Sequence, residues 1–135
     1  MMNIVLDTNC LLMSLSRRSH YYPIWRNFVD GKYTLCITNE ILAEYEEILT
    51  QKVGPQIASN IIQALLDLPN TKMVQIYYHL HLITSDPDDD KFVDCAFKAN
   101  AKYIVTQDHQ YDVLRNTPFP KIEVIDIDQF LNILQ

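Results

Sequence analysis

Short apolar runs alternate along this chain with stretches whose apolar residues recur at helical spacing, and few folds accommodate that order. Residues 3–6 read as a buried strand ending at Asp7, and 10–15 continue as one or two helical turns. Pro23 opens a second helix (Ile24, Trp25, Phe28, Val29) that Gly31 stops. Residues 33–37 form the next strand, after which Thr38 or Asn39 caps a helix to about Lys52. Its apolar stripe is Ile41, Leu42, Tyr45, Ile48 and Leu49. Gly54-Pro55 starts another amphipathic helix (Ile57, Ala58, Ile61, Ile62, Leu65, Leu66) that ends before Pro69. Residues 73–78 are strand-like, 84–90 a loop and helix start, 89–99 a helix, and 103–105 a strand. A short helix at 108–114, a strand at 122–125 and a helix at 128–134 complete the chain. This alternation predicts an α/β fold: a three-layer α/β/α sandwich on a mostly parallel sheet of about five strands. A length of 135 residues predicts one domain, 1–135.

The glycine count narrows the chemistry. Only Gly31 and Gly54 occur, so neither the P-loop nor the dinucleotide-binding glycine pattern can form. The opening residues lack a basic region and meet Asp7 early, and no apolar run approaches the ~20 residues of a membrane span. Cys10, Cys36 and Cys95 are odd in number and embedded in apolar segments, which predicts free buried thiols and a cytoplasmic protein. A net charge of −6 argues at first against nucleic acid. Five of the acids, however, crowd one nine-residue window (Asp86, Asp88, Asp89, Asp90, Asp94), and two divalent cations would bring −6 to −2.

In parallel sheets, ligands bind beyond the carboxyl ends of the strands, and that rule gathers scattered carboxylates into one candidate site. Asp7 follows the first strand, Glu44 lies in the helix after the second, and the aspartate run opens the helix before the fourth. Asp108 follows that fourth strand. Each has an alternative role: Asp7 and Asp108 as helix caps, Glu44 as a solvated glutamate. Glu44 and Glu46 flank the helix stripe on opposite sides, and periodicity does not choose between them. In the aspartate run, Asp89 stands three, four and seven residues before Phe92, Val93 and Ala96, in the middle of the buried face. Asp90 falls at the edge of that face and Asp94 outside it, while Asp88 reads as the plain N-cap. Carboxylates brought together without basic partners repel one another. A hard cation relieves that repulsion, and oxygen-only ligands favour Mg²⁺ or Mn²⁺. Two such ions about 4 Å apart suit in-line displacement at phosphorus, where they activate water and stabilise the attacking and leaving oxygens.

Four segments in this order and spacing resemble the PIN-domain family across nearly the whole chain. They are Ile4-Val5-Leu6-Asp7-Thr8-Asn9, Glu40-Ile41-Leu42-Ala43-Glu44-Tyr45, the run from Ser85 to Ala96, and Ala101-Lys102-Tyr103-Ile104-Val105-Thr106-Gln107-Asp108. The Asp-Pro-x-Asp form at Asp86 resembles the branch of toxins from bacterial toxin–antitoxin pairs. The resemblance implies a metal-dependent endoribonuclease whose catalytic and metal-binding set is Asp7, Glu44, Asp89 and Asp108. It implies support from Asn9, Asp86 and Thr106, an antitoxin partner and a homodimer. Asp90 stands where the branch often has asparagine, so the third ligand is either neighbour. Gln107 replaces a frequent glycine and is expected to crowd the turn that positions Asp108. Arg17 and Arg18, in the loop after the first acid, are placed to meet RNA phosphate.

Other phosphate chemistries fit less well. Haloacid-dehalogenase-like phosphatases need an aspartate where Asn9 stands, and receiver domains need a lysine after a late strand, where this chain has Thr106-Gln107-Asp108. A PIN-fold module that binds RNA or protein without cutting remains the alternative. His79-x-His81 offers no further zinc ligand and reads as an exposed strand face, and Tyr77 and Tyr78 read first as strand residues. The apolar helices at 24–29 and 57–66 carry more hydrophobic surface than a small sheet covers, which also favours the dimer.

Overall fold

The computed structural model describes residues 1–83, 89–119 and 121–135. Its elements are β1 (Asn3–Leu6), α1 (Thr8–Ser14), α2 (Tyr22–Val29), β2 (Thr34–Ile37), α3 (Asn39–Val53), α4 (Pro55–Asp67) and β3 (Thr71–Met73). After these come α5 (Asp90–Ala99), β4 (Tyr103–Val105), a 3-10 helix (His109–Asn116), β5 (Val124–Ile125) and α6 (Ile127–Leu134). The strands form one sheet in the order β3-β2-β1-β4-β5, with every pair parallel. Helices cover both faces, as the strand–helix alternation predicts.

Local sequence sets the element ends. The Thr38 hydroxyl accepts from the amide of Ile41 and caps α3. Gly54, at φ +86°, turns the chain from α3 into α4, a conformation that a side chain would strain. Asp126 and Gln129 form a reciprocal capping box on α6. All three cysteines are free and buried, in line with the composition.

The strand order places the site. The chain runs from β1 outward through β2 to β3, then returns to add β4 and β5 on the other side of β1. The reversal lies between β1 and β4, and crevices at such switch points are where α/β sheets bind ligands. Both strands are buried there: Ile4, Val5, Leu6, Ile104 and Val105 have essentially no exposure. Leu6 pairs in register with Val105, so Asp7 and Thr106 emerge side by side from the same end of the sheet.

Several local expectations fail, for reasons tied to sheet edges. The strand expected at 73–78 is Thr71–Met73, with one more ladder bond from the Val74 amide to Ile37. Beyond that, the amides of Leu80 and Ile83 are bonded to α5, Tyr77, Tyr78 and His79 are not strand residues, and His81 adopts φ +53°. The last strand is Val124–Ile125, and Ile122 is buried without pairing in the sheet. Helix α5 has Asp89 at its N-cap position. Asp94, expected outside the buried stripe, is 3% exposed, because the 79–80 segment covers it. The readings of Asp86 as a supporting acid and Asp88 as a cap lie outside the described residues.

One buried contact aligns α3 with the end of β1. The fully buried Tyr45 hydroxyl donates to the carbonyl of Leu6 at 2.5 Å, immediately before Asp7. Tyr45→Phe removes the donor and leaves the ring, so it is expected to destabilise the fold by about 1–2 kcal/mol. Urea unfolding checks this through a lowered midpoint at unchanged slope; an unmoved midpoint contradicts it.

Candidate active site

Asp7 leaves β1 at the switch point and is 8% exposed. Its Oδ1 accepts from the Thr8 amide at 2.7 Å, and its Oδ2 accepts from the Thr106 hydroxyl at 2.8 Å. The same hydroxyl accepts from the Asp108 amide at 3.0 Å, so Thr106 links the ends of β1 and β4. Burial pushes the Asp7 carboxyl above the ordinary carboxylate value, and the two threonine hydrogen bonds oppose that shift. The negative charges of Glu44 and Asp108 raise it further. Asp7 is thus a buried acid under repulsion from two other members of the expected set.

Glu44 reaches the site from α3. One of its oxygens accepts from the Thr8 hydroxyl, and the other lies 2.8 Å from the ammonium of Lys91. Glu46, the alternative at sequence level, lines a shallow groove with Asn39, Leu42, Ala43, Glu47 and Thr50. The expectation that the carboxylates meet without a basic partner is therefore incorrect for Glu44. The reason is geometric: the first turn of α5 packs toward α3 and carries Lys91 against it.

The members of the aspartate run make different contacts. Asp90, buried at 8% exposure, accepts from the Ile83 amide at 2.8 Å. Asp94 accepts from the Leu80 amide at 2.9 Å and pairs with His79 Nδ1 at 3.0 Å. Both acids fasten residues 79–83 to α5. Asp89 stands at the head of the helix, and its side chain makes no capping bond. The buried Tyr111 hydroxyl donates to the Asp89 backbone carbonyl at 3.3 Å. Burial raises the Tyr111 phenol well above its usual value, and the charges of Asp7, Asp89 and Asp108 add to the rise. One phenol thus feels three of the four expected acids at once.

Asp108 caps the 3-10 helix through the Gln110 amide at 2.9 Å. Gln107 does not crowd the turn: its exposed side chain accepts from the Ile127 amide at 2.9 Å, tying the turn to α6. Asn9 is exposed on the first turn of α1. Arg17 and Arg18 are exposed beyond the far end of α1, about 10 Å along the helix from Asp7, and neither forms an ion pair with another described residue.

Sequence reasoning overlooked Thr8, Lys91 and Tyr111. Thr8 and Lys91 stand inside the motifs that carry the family resemblance, so their proximity to the acids was available as a signal. Tyr111 occupies an ordinary apolar position and gave none.

The donor set suits a hard divalent cation. It is built of oxygens, and the repulsion on Asp7 is the penalty that such an ion would relieve. Among the described residues, however, no three acidic, histidine or cysteine side chains are gathered closely enough to hold one ion.

The family profile of the PIN domain matches residues 3–110. Comparison with curated proteins gives no match. Among solved structures, the chain is similar to DNA-bound VapBC from Salmonella typhimurium, at TM-score 0.65 and 16% identity, over 94% of this chain and 99% of that one. It is also similar to VapBC2 from Rickettsia felis bound to a promoter DNA fragment, at TM-score 0.63 and 15% identity, over 93% and 98%. At these identities the likeness is one of fold.

The linkage sign for Asp7 gives a test of the site's electrostatics. Its folded-state pKa lies above the unfolded value, so the folded protein binds the proton more tightly. That contribution is complete below the unfolded pKa and is lost as pH rises through the folded one. The metal-free protein should therefore lose stability over that interval, and Asp7→Asn should flatten this part of the profile and melt higher at neutral pH. Thermal melts in EDTA from acid to neutral pH check it. Identical profiles for the two proteins would reduce Asp7 to a helix cap, since asparagine caps about as well as aspartate.

Proposed function

The chain belongs to the PIN-domain family, and on that premise we propose that it is a Mg²⁺- or Mn²⁺-dependent endoribonuclease, the toxin of a toxin–antitoxin pair. The observation that carries the reading is Asp7, a buried carboxyl at the sheet's switch point, raised in pKa by burial and by its acidic neighbours Glu44 and Asp108. Asp7, Glu44, Asp89 and Asp108 are the residues that would hold the metal, and either ion would supply activation of water and charge neutralisation at the scissile phosphate. Thr106 orients Asp7 by its hydroxyl and anchors the backbone of Asp108. Thr8 orients Glu44.

Among the described residues, the buried cysteines do not support a covalent route. Cys10 is buried and its thiol is pushed up to about 12, so little thiolate exists at neutral pH. Single-stranded RNA has exposed rings to stack on at Tyr77, Tyr78, Phe97 and Phe119, with the Lys98 ammonium 5.3 Å from the Tyr77 ring centre. Arg17 and Arg18 would meet phosphate farther from the acids. Asn9 and Asp86 are assigned supporting roles by the family resemblance alone.

An antitoxin as partner is supported by the fold neighbours, which come from VapBC assemblies. A homodimer is supported by α4, which leaves Ile57 and Leu66 about half exposed, and by Val53 beside it. No described helix is long and apolar enough to cross a membrane, and a cytoplasmic location fits the free cysteines. The Lys91–Glu44 pair favours the alternative, a PIN-fold binding module, because Glu44 is already neutralised.

Cleavage of an unstructured RNA decides between the two readings. The nuclease reading expects cutting in Mn²⁺ that stops in excess EDTA; RNA bound but uncut with Mn²⁺ present would favour the binding module. Among the aspartates, Asp89→Asn is expected to lower the cleavage rate at least ~100-fold and Asp90→Asn at most ~10-fold, because Asp90 is committed to the Ile83 amide. Reversed sensitivities in the same assay would make Asp90 the ligand.

A further inference from the structure

We propose that Lys91 is a built-in cation of the carboxylate site, which holds Glu44 while no divalent ion is present and competes with that ion for the same carboxylate. Lys91 would then set how much divalent cation the site requires. This rests on the metal-binding reading above and adds a residue that tunes it.

The position of Lys91 on its helix is the first argument. It is the second residue of α5, in the first turn, where the helix dipole and the unpaired amides disfavour a positive charge. Cations are favoured at the other end of a helix, which in α5 carries Lys98. A group outside the helix that offsets that placement is Glu44, with nitrogen and oxygen 2.8 Å apart. The pair is also sheltered, with side-chain exposures of 15% for Lys91 and 27% for Glu44. Screening is weaker there than for a surface pair.

The occupancy of Glu44 is the second argument. One oxygen faces Lys91 and the other accepts the Thr8 hydroxyl, so neither is idle. Thr8 also donates its amide to Asp7, which joins the two acids through one residue. A divalent ion coordinated by Glu44 and Asp7 would meet the Lys91 ammonium at the same carboxylate, and like charges at that range repel. Lysine suits this role because its charge sits at the tip of a flexible stem that can swing away without disturbing the helix.

Isothermal titration of Mn²⁺ into the metal-free protein tests the proposal without RNA. Lys91→Met keeps the length of the stem and removes the charge, and should bind Mn²⁺ about 5- to 10-fold more tightly than the wild type. Lys91→Arg keeps the cation and should stay within about 2-fold, as should Lys98→Met, which removes an exposed charge from the same helix. In EDTA, Lys91→Met should also melt below the wild type, because Glu44 then repels its neighbours unopposed. A residue that only positions Glu44 as a ligand would give the opposite titration result, weaker Mn²⁺ binding in Lys91→Met. That result, or an unchanged affinity, overturns the proposal and leaves the metal site standing. Absence of Mn²⁺ binding in every variant overturns both. Should Lys91→Met fail to fold, the wild type still decides: on Mg²⁺ addition the ¹⁵N resonance of the Lys91 ammonium should shift as Glu44 releases it, and a resonance that stays fixed while Mg²⁺ binds overturns the proposal.

Discussion

Ending a fully buried central strand in a carboxylate is costly, because the charge must leave water at the place where the sheet is most enclosed. Here Ile4, Val5 and Leu6 have at most 1% exposure and Asp7 follows directly, with only a small part of its surface left to solvent. Two hydrogen bonds offset part of that cost, from the Thr8 amide and the Thr106 hydroxyl. They also make Asp7 the reference point for the rest of the site. Thr106 carries the end of β4 and the backbone of Asp108, Thr8 carries Glu44, and the Tyr45 hydroxyl pins α3 to the carbonyl of Leu6 just before it. Burial, with smaller repulsion from Glu44 and Asp108, leaves Asp7 raised in pKa, a penalty that a cation at the site would convert into binding energy.

Acids so close in sequence are separated by what each one touches. Asp90 and Asp94 hold backbone amides of residues 79–83 and fix the covering segment to α5, so their charges are spent on structure. Asp89, one residue before Asp90, stands at the head of α5 in electrostatic reach of Tyr111. Lys91 then points a positive charge at Glu44 from the same turn. The start of one helix therefore carries a structural acid, a candidate ligand and a counter-cation within three consecutive residues.

Much of this was legible in the sequence because period and strand order do the sorting. The apolar run before Asp7 reads as a buried strand, and the alternation that follows sends the acids after β1 and β4 to one end of a parallel sheet. Proline and glycine fixed the ends of α2 and α4 to within a residue or two. What failed lies where tertiary contacts override the local pattern. Residues 74–78 have strand composition, but β3 is an edge strand, and the segment after it serves better by covering α5. Asp94 looked solvated on the wheel because a helical wheel does not show a covering loop. Lys91 stands inside a family motif, but its pairing with Glu44 did not show in the sequence: the two are forty-seven positions apart, and the packing of α5 on α3 brings them together.

If these carboxylates form one divalent-cation site at the switch point between β1 and β4, manganese should bind there beside Asp7. A crystal of the protein grown without metal and soaked in Mn²⁺, with anomalous diffraction recorded above the manganese edge, tests it most directly. The expected result is an anomalous peak within coordination distance of an Asp7 oxygen, about 2.0–2.2 Å, with oxygens of Asp89, Asp108 or Glu44 sharing it. Manganese bound only elsewhere, or no peak beside Asp7 at saturating Mn²⁺, would contradict it.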